Sequence, residues 1–204
     1  MSPIILQYIT DFGDSAVMAA ITLAGIIYLI SCKNYRAASV IFLSLLLASF
    51  GIGLLKILFM SYIKNSFIRS PSGHVALSTA VLGIYTMIIA GQAEKKLHRI
   101  IGVSFVIALL IAIAASRTLL GYHNIYEVII GFFVGYLVFI CAGLFYLRAE
   151  EPAKINKGKL ILIIIAIAFL THGFRLPAEK MIEKLAIELK HNTQILGKNI
   201  SNLE

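Results

Sequence analysis

The chain has 204 residues, 59% of them hydrophobic and only 14% charged, with a mean hydropathy of +0.91, which excludes an ordinary soluble domain and marks an integral membrane protein. At about 20 apolar residues per crossing of a ~30 Å hydrocarbon core, the length holds five or six helices with short loops and leaves no room for a separate soluble domain. The net charge of +8 is not gathered into a basic run interleaved with aromatics, so nucleic acid is not an expected partner and the excess reads as a record of membrane topology.

In chain order, Met1 to Ile9 carries no Lys or Arg, so it is not the basic start of a signal peptide and is expected to stay attached. Asp14 and Ser15 suit the N-cap of a first membrane helix, with an active-site role for Asp11 or Asp14 as the alternative. Apolar runs predict crossings over Ser15 to Cys32, Ala37 to Met60, His74 to Gly91, Ile100 to Ser116, Asn124 to Leu147, and Leu160 to Phe174. The expected fold is an all-α, polytopic helix bundle, one domain over residues 1–204. The last crossing is short, and a tilted or re-entrant segment is its alternative. Cys32 and Cys141 lie in or beside apolar runs without metal-site or disulfide spacing and read as packing residues.

The tail, residues 175–204, is expected outside the core. From Pro177 to Leu189 it sets Ala178, Met181, Ile182, Leu185 and Leu189 on one face, as an interfacial amphipathic helix does, with a lid or substrate guide as the sharper reading. Lys33 and Arg36, then Lys95, Lys96 and Arg99, then Arg148, Lys154, Lys157 and Lys159 fall in alternate loops. The positive-inside rule makes those loops cytoplasmic and puts both termini on the other side.

Polar residues that a membrane helix does not need gather at that other, non-cytoplasmic side. They are Lys56, Arg69, the run Pro71-Ser72-Gly73-His74, then Ser116, Arg117, His123 and Glu127. A central charge costs on the order of 3 kcal/mol even on lenient insertion scales, so such a cluster implies function. If the fifth crossing begins near His123, Glu127 stands one turn away and its carboxylate accepts the imidazole Nδ1 proton, leaving Nε2 as a nucleophile. Ser72 is expected to cap the next helix while the Ser72 and Gly73 amides and the helix N-terminus face an anion. His74 then stands in a phosphate cradle, placed to act as general acid. A zinc site of His74, His123 and Glu127 has ligands of the right kind but no recognised spacing, and nearby arginines repel a dication, so no metal and no other cofactor is expected.

Pro71-Ser72-Gly73-His74 matches the PSGH motif, and Ser116-Arg117 five residues before His123 matches the SRxxxxxH motif, of the type-2 phosphatidic acid phosphatase (PAP2) superfamily. Either string is a roughly one-in-a-thousand accident in a chain of this length, and both occur in the right order. The sequence thus resembles that family from the second to the fifth crossing. The resemblance implies a membrane phosphatase with His123 as nucleophile, His74 as general acid, Glu127 in place of the usual Asp, and Arg117 as a phosphate ligand. The family's first motif, KxxxxxxRP, is met only in Lys56, because its Arg-Pro positions are Ile63 and Lys64 here. Arg69 or Lys64 is expected to supply the missing charge. The implied activity is a metal-independent lipid-phosphate phosphatase of the cell membrane, acting on a membrane lipid through a phosphohistidine. A phosphotransferase of the same fold, or an inactive scaffold or transporter, is the alternative.

Overall fold

The computed structural model describes residues 2–62, 68–148 and 154–201. Among them the elements are helical: α1 (Pro3–Asp11), α2 (Ser15–Ser31), α3 (Tyr35–Tyr62), α4 (Gly73–Gly91), α5 (Lys96–Leu119), α6 (Ile125–Leu147), α7 (Lys157–Leu170) and α8 (Ala178–Ser201). An all-α membrane bundle is what a bilayer demands of a single chain without a closed barrel, since each helix satisfies its own backbone.

Five stretches of the described residues are long and apolar enough to cross a membrane: Pro3–Ser31, Tyr35–Ser61, Gly73–Gly91, Lys96–Leu119 and Ile125–Leu147. The expected sixth, α7, has 14 residues and is about 21 Å long at 1.5 Å per residue, short of the hydrocarbon thickness. It nevertheless runs beside α2 for most of that helix's length. At its start the Tyr28 hydroxyl donates to the Asn156 carbonyl at 3.0 Å. At its finish Phe169 meets Phe12 edge-on, with ring centroids 5.5 Å apart, and His172 stacks on Tyr8.

The core lies between α2, α3 and α4, where Met18, Ile21, Leu29, Ile41, Val81 and Ile84 are fully buried. Lipid is as apolar as these side chains, so helix association rests on close packing rather than on removal of water. The closest packing is between α4 and α6. A Cβ added at Gly131 would stand 2.4 Å from the Ser72 carbonyl oxygen, and one at Gly135 would stand 2.3 Å from that of Ala76. Two glycines one turn apart thus let the α6 backbone rest on the start of α4. This contact presses the segment before α6 against the segment before α4.

The turn from α5 to α6 ends in a left-handed residue, Gly121, with φ of 71°. It lets the Tyr122 and His123 amides both return to the Arg117 carbonyl, at 3.1 and 3.2 Å, the glycine-dependent stop that many helices use. The five residues separating Arg117 from His123 are therefore a helix ending and its cap.

The tail is not free of the bundle. α3 has 28 residues, about 42 Å, and so outruns a ~30 Å core. α8 lies along its last turns, where Ser61 Oγ donates to the Ala186 carbonyl at 3.1 Å and Ile182 faces Gly53. Ile182 and Ala186 form the contact. Met181, Leu185 and Leu189 of the expected apolar face remain exposed.

Candidate active site

The site lies at the end of the bundle where α3, α5 and α7 finish and α2, α4, α6 and α8 begin. Lys56, Ser72, Arg117, His123 and Glu127 are all buried there.

His123 does not sit on a helix. α6 starts at Ile125 behind an N-cap at Asn124, so His123 is the residue before the cap. The expected pair forms all the same, because Glu127 is the third residue of the helix and reaches back. Its Oε2 lies 2.9 Å from His123 Nδ1 and accepts the Asn124 amide at 3.2 Å, while the Asn124 side chain accepts the Glu127 amide at 2.9 Å. This is a capping box whose acid also holds an imidazole. Glu127 Oε1 accepts the amides of Arg69 at 2.6 Å and Ser70 at 3.0 Å. With so many donors on it the carboxylate is rigid, and its hold on Nδ1 leaves Nε2 as the free ring nitrogen.

Burial pushes the His123 imidazole below its ordinary pKa. The Glu127 carboxylate opposes this, and the charges of Arg117 and Lys56 add to it. The side chain is therefore neutral, and nucleophilic, at neutral pH.

Arg117 lies at the end of α5 with its guanidinium 4.6 Å from the centroid of the Tyr122 ring and Nη1 3.4 Å from Thr10 Oγ1. Its Nε is buried without a protein partner, as is Ser72 Oγ. A buried guanidinium Nε–H and a hydroxyl with no protein partner are donors that an anion can use.

Two expectations change. Ser72 is the N-cap residue of α4, but its hydroxyl makes no capping bond, and its amide donates to the Glu127 carbonyl at 3.0 Å rather than facing an anion. The press of α6 on α4 takes that amide. The first-turn amides from Gly73 onward keep the open N-terminus. Arg69 is also used differently: its amide holds Glu127 while the residue is exposed. Ile63 and Lys64 lie outside the described residues.

Lys56 Nζ is 2.7 Å from the carboxylate of Glu179, at the start of α8. Burial alone would raise the Glu179 carboxyl, but the charge and hydrogen bond of Lys56, with the charge of Arg117, carry it below its ordinary value. A carboxylate thus already occupies the field of these cations. His74 is part-buried at the start of α4, with Nε2 3.4 Å from Oδ2 of Asp14. Asp14 is also the N-cap of α2, its Oδ1 accepting the Ala16 amide at 2.8 Å. Asp11, the other early acid, instead binds Gln7 and Arg175.

The partners that sequence reasoning missed, Glu179 and Thr10, come from the tail and from α1. Asp14 carried a signal, as an acid at the head of an apolar run, that was satisfied by capping alone. His172 stacks on Tyr8 and sits 3.0 Å from its carbonyl, away from this cluster.

A family model described as PAP2 superfamily matches residues 56–153, from Lys56 through both histidines. No curated protein and no solved structure matches the chain.

Proposed function

Residues 56–153 place this chain in the PAP2 superfamily, and from that premise we propose that it is a membrane lipid-phosphate phosphatase working through a phosphohistidine. The observation that carries the reading is the pairing of neutral His123 with the immobilised Glu127, in the same cation-rich pocket as Arg117 and Lys56.

His123 Nε2 attacks phosphorus, forming the N–P bond as the P–O bond to the leaving group breaks. His74 gives its proton to the departing alcohol or phosphate oxygen. Water then attacks the phosphohistidine and His74 takes up a proton from it, releasing inorganic phosphate and restoring both rings. Glu127 stabilises the charge that develops on the His123 ring. Arg117 and Lys56 neutralise the phosphoryl oxygens, with the Gly73 amide, the unsatisfied Ser72 hydroxyl and Arg69 at the margin of the site. The Glu179 carboxylate on Lys56 marks where an anion is held, and substrate phosphate displaces it.

A lipid carrier is supported by an apolar cavity of about 750 Å³ between α2, α4, α5 and α7. It is lined by Phe12, Met18, Tyr85, Phe105 and Ile164 among others, and extends from Phe12, two residues before Asp14, to Lys95 and Arg99 at the other end of α5. The distribution of Lys and Arg supports a site on the non-cytoplasmic face of the cell membrane.

The test is phosphate release from phosphatidic acid, phosphatidylglycerol phosphate, undecaprenyl pyrophosphate and lipid A in detergent, with His123→Ala as blank. Release from at least one, absent in the blank, is the expected result. Release from none, or equal release by the blank, overturns the reading.

A further inference from the structure

The segment matched to the family begins at Lys56, yet His74 has its carboxylate contact from far outside it. We propose that Asp14 is a positioning residue for His74, an acid that holds the ring and stabilises the imidazolium the general-acid step requires. This rests on the phosphatase reading above.

Three observations support it. The Asp14 side chain is 8% exposed, and its two oxygens divide between tasks: Oδ1 takes the Ala16 amide at 2.8 Å and Oδ2 faces His74 Nε2 at 3.4 Å. A helix cap needs only the first. The elbow is also seated on His74 itself, since a Cβ at Gly13 would stand 3.4 Å from both the Cβ and the carbonyl oxygen of His74. The backbone segments that carry Asp14 and His74 are thus packed directly against each other.

The third is charge. Around His74 stand Arg117 from α5 and Lys56 from α3, whose Cε lies 3.8 Å from where a Gly73 Cβ would be. Glu127 of α6 and His123, just before that helix's cap, are engaged with each other. The opposing carboxylates are Asp14 and Glu179, and Glu179 yields its place when phosphate arrives. Asp14 alone then remains to balance a proton on His74. With Nε2 held by Asp14, the proton passes to the leaving oxygen from the other ring nitrogen, and Asp14 itself stays ionised.

The two tasks of Asp14 separate by substitution, because Asn caps a helix as well as Asp does but carries no charge. Asp14→Asn is expected to keep the wild-type melting temperature and KM while kcat falls about 10- to 100-fold, a share of the 10²–10⁴ typical of general acid catalysis. The alkaline limb of its kcat–pH profile moves down by about one unit, as expected for loss of an opposite charge at this range. Asp14→Glu restores the limb in part. In a His74→Ala background Asp14→Asn has no further effect, because a residue that acts only through another is not additive with it. Should Asp14→Asn fail to fold, Asp14→Ser, also a good cap, carries the same comparison. An Asn variant with unchanged kcat and pH profile overturns the role, as does an additive loss in the His74→Ala background. Absence of phosphate release by the wild type from every lipid overturns the phosphatase reading and this role with it.

Discussion

At the residue scale, the proposed function rests on the protonation states of two imidazoles. His123 is held neutral by burial, with help from Arg117 and Lys56, and its Nδ1 is spent on Glu127. Its folded-state pKa lies below the ordinary value of about 6.5, so the neutral fraction falls only when pH drops through that lower value. The acid limb of kcat/KM is therefore expected below about pH 6.5; a limb centred above pH 7 contradicts the assignment. Glu127→Gln keeps the capping geometry but loses the charge that supports the ring, and should lower kcat by about 10²-fold or more with KM little changed, as for other positioning acids beside a catalytic histidine. The histidines and Arg117 were legible in the sequence because short motifs hold them at fixed spacing. A second task of Arg69 was not legible: its backbone amide holds Glu127, a contribution that any residue but proline offers and no side-chain pattern reveals.

At the element scale, the decisive contact is α6 on α4. Gly131 and Gly135 let the Glu127 carbonyl reach the Ser72 amide at 3.0 Å. A methyl at Gly131 would press on backbone, which does not yield as a side-chain tip does. Gly131→Ala should cost about 1–3 kcal/mol by overpacking, read as a lower melting temperature, together with a loss of activity exceeding the loss of folded protein. Unchanged melting and activity would show that this contact does not set the site. The tail helix adds a second expectation. Glu179→Gln removes the anion held by Lys56, so KM should fall several-fold with kcat nearly unchanged, measured on the best lipid of the panel. A raised KM would mean that Glu179 helps to bind substrate rather than competing with it. Neither element contact was legible from sequence. The Gly131 and Gly135 contact becomes specific only once α4 is beside α6, and Glu179 reaches Lys56 across 123 positions of chain.

At the scale of the whole molecule, a bundle of membrane helices gathers the starts and ends of several elements at one end, and the polar groups that bilayer insertion penalises are concentrated there. The class of fold and most crossings followed from hydropathy alone, because a ~30 Å apolar slab imposes both. The status of α7 did not, since its 14 residues lie along α2 without meeting the length of a span. The orientation proposed from the distribution of Lys and Arg is testable in a Cys32→Ala, Cys141→Ala background. A membrane-impermeant maleimide added to intact cells should label Leu119→Cys and spare Lys95→Cys. The reverse pattern would place the site in the cytoplasm. The central claim, that the phosphoryl group passes through His123, is tested most directly by rapid quenching with a ³²P-labelled lipid phosphate. A protein-bound label that is stable to alkali, labile to acid and absent from His123→Ala is expected. A wild-type protein that turns over substrate without such a label, or a variant that retains it, would rule out transfer through His123.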